Sequence, residues 1–332
     1  MSLLASDTRV RLAGLELDRL SEQQVIDCII ETLDSGQGGW VSTPNIDICR
    51  ATQRDPALAR LVSESSLAVP DGMPLVWASR LRGAPVAERV TGSSLIFSLS
   101  EAAARHSKSI YLLGGAPGVP EQAGRSLAGR YAGLVVAGAD APPVGFDATP
   151  EGIDAVRDKL VAAAPDIVYV GLGFPKQERL ITRLAPALPS TWFVACGAAI
   201  PFAAGTMPRA PKWMQKAGLE WLFRLLREPR RLFGRYLLRD LPFAALLLGT
   251  ALSASTQLLW FDRLSEDGPV RPAIDLSPEA SGASSGHLRA SVPSVRQMEG
   301  SGRPASPATS RAWRRAGGHY AAQRRDNDGE AA

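Results

Sequence analysis

Up to residue 203 the chain alternates between short apolar runs and stretches whose apolar residues return every third or fourth position. The runs at 40–42, 67–69, 110–113, 134–137, 167–170 and 192–195 suit strands buried on both faces of a parallel sheet, which read as continuous rather than alternating apolar segments. Between them the spacing predicts helices. Ser21 with Gln24 forms a capping-box pattern ahead of Val25, Ile26, Ile29, Ile30 and Leu33. Further helices are predicted over 48–54, from Asp55-Pro56 onward, through Trp77, and over 93–106, 120–131 and 150–163. Residues 9–17 alternate around Gly14 and predict a small hairpin. Six alternations of strand and helix give an α/β fold: a mostly parallel sheet with helices on both faces.

The polar residues that follow the strands are the candidate chemistry, because open α/β sheets bind ligands at the carboxyl ends of their strands. Thr43 and Asn45 follow the first run, Asp71 the second, Gly114 and Gly115 the third, and Gly171-Leu172-Gly173 with Gln177 and Glu178 the fifth. The segment DIVYVGLGFPKQE (166–178) concentrates this pattern: an apolar strand, a glycine turn and a polar helix start with Pro175 in its first turn. It is either an ordinary tight βα connection or a ligand-binding edge. Asp71, between Pro70 and Gly72, is either a helix N-cap or a carboxylate free to act as a general base. Arg89 lies in a Gly-bounded excursion, where it either contacts an anion or is solvated.

Charge changes the picture only after residue 205. The net charge is +4, yet residues 209–239 hold nine Lys or Arg against Glu220 and Glu228. This stretch predicts basic amphipathic helices, and its charge implies an anionic partner such as a phosphate, a membrane or a nucleic acid. Residues 241–261 carry no charge. They are long enough to span a bilayer, but Pro242, Gly249, Ser253, Ser255, Thr256 and Gln257 favour a surface-bound segment. The expected organisation is a core over 1–205, a helical appendage over 206–261 and a disordered tail over 262–332, poor in large apolar residues. On this division a chain ending near Ala204 is expected to fold alone.

Several function classes are disfavoured. Gly114-Gly115 lacks a Walker lysine, and no G-x-G-x-x-G with an acidic ribose partner is present, which argues against P-loop NTPases and dehydrogenases. Neither the three cysteines nor the three histidines have metal-ligand spacing, so no metal and no cofactor is expected, and Cys28, Cys49 and Cys196 read as buried free thiols. The N-terminal MSLLASDTRVRL lacks the pattern of a signal peptide, so a cytoplasmic location is expected. A non-enzymatic membrane- or nucleic-acid-binding protein built on the basic appendage stays open as the alternative. Trp and Leu at helical spacing nevertheless favour a core or membrane-facing stripe over a nucleic-acid surface.

The motifs TPN (43–45), VPDGMPLV (69–76), ERVTG (88–92), LLGG (112–115), VGLGFPKQE (170–178) and RAPKWMQKAGLEWLFRLLREPRRLFGRYL (209–237) occur together and in order. In this the chain resembles the WecG/TagA/CpsF family of glycosyltransferases, glycosyltransferase family 26, from about residue 10 to 245. The resemblance implies a Rossmann-like fold with a C-terminal helical appendage, and a metal-independent, inverting hexosyl transfer. The donor it implies is a UDP-sugar carrying N-acetylmannosamine, its uronic acid or glucose. The implied acceptor is a polyprenyl-diphosphate-linked saccharide at the inner face of the cell membrane, in teichoic acid, exopolysaccharide or related cell-surface polysaccharide synthesis. By position, Asp71 resembles the family's base, and Thr43, Asn45 and Gln177 match residues lining the sugar and acceptor pocket. Arg89, Gly114, Gly115, Gly171, Gly173 and Glu178 would help seat the donor. Arg224, Arg231 and Arg235 resemble arginines that close over the site and neutralise the diphosphate. The implied partners are the two substrates and an anionic membrane surface, with no nucleic acid; self-association is left open.

Overall fold

The computed structural model describes residues 8–252, apart from the side chains of Lys212 and Lys216. An antiparallel hairpin comes first, β1 (Arg9–Leu12) and β2 (Leu15–Asp18), as the alternation around Gly14 predicts. There follow α1 (Glu22–Asp34), β3 (Gly39–Ser42), α2 (Ile46–Arg54), α3 (Pro56–Ser63), β4 (Leu67–Ala68), α4 (Met73–Leu81), α5 (Gly92–Arg105), β5 (Ser109–Leu113) and α6 (Val119–Arg130). The second half holds β6 (Val135–Asp140), α7 (Pro150–Ala163), β7 (Ile167–Val170), α8 (Lys176–Leu184), β8 (Trp192–Ala195) and α9 (Ala199–Ala203). The predicted capping box at Ser21 and Gln24 is present on α1.

The six strands β3–β8 form one sheet in the order β4-β3-β8-β7-β5-β6, and every pairing in it is parallel. This is the expected α/β, Rossmann-like architecture. The last strand in sequence, β8, lies beside the first, β3, so the carboxyl ends of β3, β8 and β7 form the middle of one edge. Strand side chains alternate between the faces. Ile110, Leu112, Ile167, Tyr169, Trp192 and Val194 pack under α1, α5, α6 and α9, while Tyr111, Leu113, Val168, Val170, Phe193 and Ala195 pack under α7 and α8. Both sets are buried, which is why the strands read as unbroken apolar runs.

The appendage comprises α10 (Lys212–Lys216), α11 (Glu220–Arg227), α12 (Pro229–Arg235), a π-helical turn (Tyr236–Asp240) and α13 (Leu241–Leu252). α13 is not confined to a surface role. Ala244, Leu247 and Ala251 are buried in a third apolar cluster with Val10 and Leu12 of β1 and Leu75, Val76 and Ala78 of α4. One face of the segment expected to lie on a membrane is therefore core. No helix among the described residues is long and apolar enough to cross a membrane. Residues 253–261 and the tail expected to be disordered (262–332) lie outside the described residues.

Three local expectations shift. α2 begins two residues earlier than its apolar spacing indicates, because the Asn45 side chain caps it. Pro175 sits at the N-cap of α8 rather than inside its first turn. β6 runs on to Asp140, beyond its apolar run, because parallel pairing with β5 continues there; Gly138 makes room for the ring of Tyr111, which a Cβ at that position would meet at 2.4 Å. All three cysteines are buried free thiols, as expected.

Candidate active site

Backbone hydrogen bonds stitch the loops at the carboxyl edge together. Val69 N–H donates to Ser42 O at 3.0 Å, Asp71 N–H to Pro44 O at 2.8 Å and Val90 N–H to Pro70 O at 3.1 Å. The segments carrying Thr43, Asp71 and Arg89 thus become neighbours despite their separation in sequence. Gly92, which opens α5, abuts the turn after β8 so closely that a Cβ would lie 2.7 Å from Cys196 Cα.

Asp71 does not cap α4. The N-cap is Gly72, and no side chain caps that helix end. The alternative left open by the sequence is thereby removed, and the carboxylate is free for another role. Asp71 is half-buried, and protein crowding around it pushes its carboxyl up to about 7. Loss of water is the largest cause, opposed by the positive charges of Arg89, Arg224 and Arg209 and reinforced by the negative charge of Glu220. A carboxylate poised near neutrality suits a general base, which must be unprotonated at working pH yet hold a proton well.

Three of those groups, Arg209, Glu220 and Arg224, come from the appendage. Gly218, in the turn between α10 and α11, lies over Met73 with a left-handed φ of +72°, and a Cβ there would sit 2.0 Å from Met73 Cγ. This close approach holds α11 over the start of α4, two residues past Asp71. Arg89 Nη2 donates to Gln215 O at 3.1 Å, and Arg89 Nη1 lies 3.6 Å from Glu220 Oε2. Arg224 lies over the Phe202 ring at 5.9 Å, within cation–π range, and its buried Nε has no hydrogen-bond partner among the described residues.

The remaining predicted residues divide. Gln177 is 4% exposed, and its Oε1 accepts from both Gly173 N–H and Gly197 N–H, each at 3.1 Å. One amide thus fixes the glycine turns after β7 and β8. Its Nε2 donates to Glu178 Oε1 at 2.9 Å. Glu178 is fully buried, its Oε2 has no partner among the described residues, and burial raises its carboxyl to about 7 against the opposing Gln177 hydrogen bond. Thr43 is buried and donates to Ala195 O at 3.3 Å. Asn45 Oδ1 accepts from Ile48 N–H as the cap of α2. Gly114 packs against the Gly171 backbone, where a Cβ would meet Gly171 O at 2.9 Å; Gly115 and Gly173 both take positive φ. These residues form the floor that shapes the edge.

Arg231 and Arg235 are not brought to Asp71. Arg231 pairs with Glu228 of its own helix at 2.5 Å and is exposed. Arg235 Nη2 binds Asp47 Oδ2 at 2.9 Å within a cluster that also holds Arg50 and Asp240 and fastens the π-helical turn to α2. Of the three arginines expected to close over the site, the structure places only Arg224 in the electrostatic field of Asp71. Arg209 and Glu220 belong to the site and were not singled out from the sequence, where each is one charge among many. Among the described residues no three His, Cys, Asp or Glu side chains gather to hold a metal ion.

Residues 10–257 match the profile of the glycosyl transferase WecG/TagA/CpsF family. The chain is 30% identical over 199 residues to an N-acetylglucosaminyldiphosphoundecaprenol N-acetyl-beta-D-mannosaminyltransferase of Bacillus spizizenii, covering 60% of this chain and 75% of that protein. It is 28% identical over 231 residues to the protein of the same description in Staphylococcus aureus strain MW2, covering 69% of this chain and 88% of that one.

Proposed function

Because the chain belongs to the WecG/TagA/CpsF family of glycosyl transferases, and is therefore an enzyme rather than the non-enzymatic binding protein left open by its charge, we propose that it moves an N-acetylmannosamine-like sugar from a UDP-sugar to a polyprenyl-diphosphate-linked saccharide, with inversion and without a metal. The acceptor class is that named for the similar Bacillus and Staphylococcus proteins.

The observation that carries this reading is Asp71: an uncapped, half-buried carboxylate raised to about 7, at the sheet edge and among arginines. It takes the proton of the acceptor hydroxyl as that oxygen attacks the anomeric carbon from the face opposite the leaving UDP. The bond from anomeric carbon to phosphate oxygen breaks, and negative charge grows on the diphosphate. Arg89 and Arg224 supply the compensating charge, and the unpaired Nε of Arg224 is a donor awaiting an acceptor. Gln177 keeps the two glycine turns in place, so that backbone can approach the donor closely. Asn45, the N-cap of α2, serves as a sugar contact.

The appendage brings the enzyme to the lipid-borne acceptor. Trp213, Leu226, Phe233, Leu238, Leu246 and Leu252 are exposed, and Arg230, Arg231 and Arg239 are exposed among them. Apolar burial at an interface together with about 1 kcal/mol per cation near an anionic surface supports reversible docking. The site therefore works at the inner face of the cell membrane. The test is a donor panel assayed in EDTA against a synthetic polyprenyl-diphosphate sugar, with the anomeric configuration of the product read by NMR. An inverted product from one UDP-sugar is expected; transfer to no such acceptor, or retention of configuration, would overturn the reading.

A further inference from the structure

Glu220 opens α11 and is 12% exposed in its side chain. Its two oxygens face guanidinium groups from opposite sides of the seam between core and appendage. Oε2 lies 3.6 Å from Arg89 Nη1, and Oε1 lies 3.4 Å from Arg209 Nε. Arg209 also reaches across to Ser93, its Nη2 donating to Oγ at 3.4 Å, as Arg89 reaches Gln215 O in the other direction. A carboxylate among cations that await a diphosphate needs a reason. Without it, Arg89 and Arg209 would face each other as like charges and oppose closure of α11 over the core. Arg89, Arg209 and Arg224 would also hold Asp71 ionised but weakly basic, since all three favour its charged form and only Glu220 among its charged neighbours opposes them.

We propose that Glu220 is a positioning residue, whose carboxylate ties Arg89 of the core to Arg209 of the appendage and sets how strongly those two cations bear on Asp71. The role rests on the reading of Asp71 as the base. It makes basicity and closure two consequences of one contact: when α11 docks, its arginine arrives at the site together with the carboxylate that preserves the base.

The experiment uses the full chain labelled with 13C-carboxyl aspartate, the Asp71 resonance being assigned by its loss in Asp71→Asn. Glu220→Gln keeps the shape and accepting oxygen of the side chain but removes its charge. It should lower the titration midpoint of Asp71 by roughly half to one pH unit. Arg209→Gln should raise the midpoint. Glu220→Leu, which cuts the tie altogether, should speed amide exchange across 212–227 several-fold. A midpoint unmoved or raised in Glu220→Gln, or exchange unchanged in Glu220→Leu, would overturn the proposal. If the midpoint falls as expected while the pH–rate profile of Glu220→Gln stays where the wild type has it, Glu220 acts on Asp71 as stated and the assignment of Asp71 as the base fails instead.

Discussion

Val90 donates its backbone N–H to Pro70 O at 3.1 Å, and this bond sets Arg89 within electrostatic reach of Asp71. Neither partner in the bond has a chemical role of its own. The bond matters because it registers the loop after β4 with the loop before α5, so that a cation and a carboxylate 18 positions apart in sequence share one site.

The raised carboxyls of Asp71 and Glu178 have opposite consequences for stability and for chemistry. A carboxyl whose folded value lies above its unfolded one costs stability as pH rises between the two, because the folded state binds the proton more tightly. For Glu178, fully buried, the shift from 4.5 to about 7 at ~1.4 kcal/mol per unit is worth up to about 3 kcal/mol. Glu178→Gln should therefore match the wild type in thermal stability near pH 4 and exceed it increasingly up to pH 8. Asp71→Asn should follow the same trend with a smaller gain, since Asp71 is only half-buried. Melting curves from pH 4 to 8 check both, and pH-independent differences would be the opposite result.

Gln177 is expected to matter through the turns it holds. Gln177→Leu leaves the part-buried N–H groups of Gly173 and Gly197 without their acceptor, at a combined cost of about 1–3 kcal/mol. Denaturant unfolding should show a loss in that range, and turnover should fall with it. A variant as stable as the wild type would show that water or backbone replaces the amide oxygen.

Much of this was legible in the sequence. The strands were, because a parallel sheet covered on both faces demands runs such as Ile167–Val170, and those runs leave no polar position to confuse the period. Asp71, Gln177 and the glycine turns were legible as polar groups just past strands. The rest depends on contacts between distant segments. Glu220 meets Arg89 across 131 positions, and nothing in EWLFRLLR marks that glutamate as different from Glu228. The pairing of Arg235 with Asp47 is equally invisible, since a basic helix offers several equivalent arginines and only packing selects among them. The packing of α13 on α4 was hidden for the same reason: an uncharged segment reads alike whether it meets lipid or α4.

That packing has a measurable consequence. Removing everything after Ala204 uncovers Leu75, Val76 and Ala78 of α4 and the hairpin residues beneath α13. Losing the burial of Leu247 alone is worth about 1.5–3 kcal/mol. The truncated chain should melt well below the full chain or aggregate, and Leu247→Ala in the full chain should be destabilised by about 2–5 kcal/mol. A truncated core as stable as the full chain would show that α13 does not contribute to it.

The central claim is that Asp71 removes the proton from the acceptor hydroxyl, and single-turnover transfer by Asp71→Asn tests it most directly. The wild-type rate should climb with pH to a plateau with a midpoint near 7, where the carboxyl loses its proton. Asp71→Asn should bind UDP as the wild type does, lose the climbing limb and transfer sugar about two to four orders of magnitude more slowly. Transfer within a few-fold of the wild type, with the limb near 7 intact, would contradict the assignment.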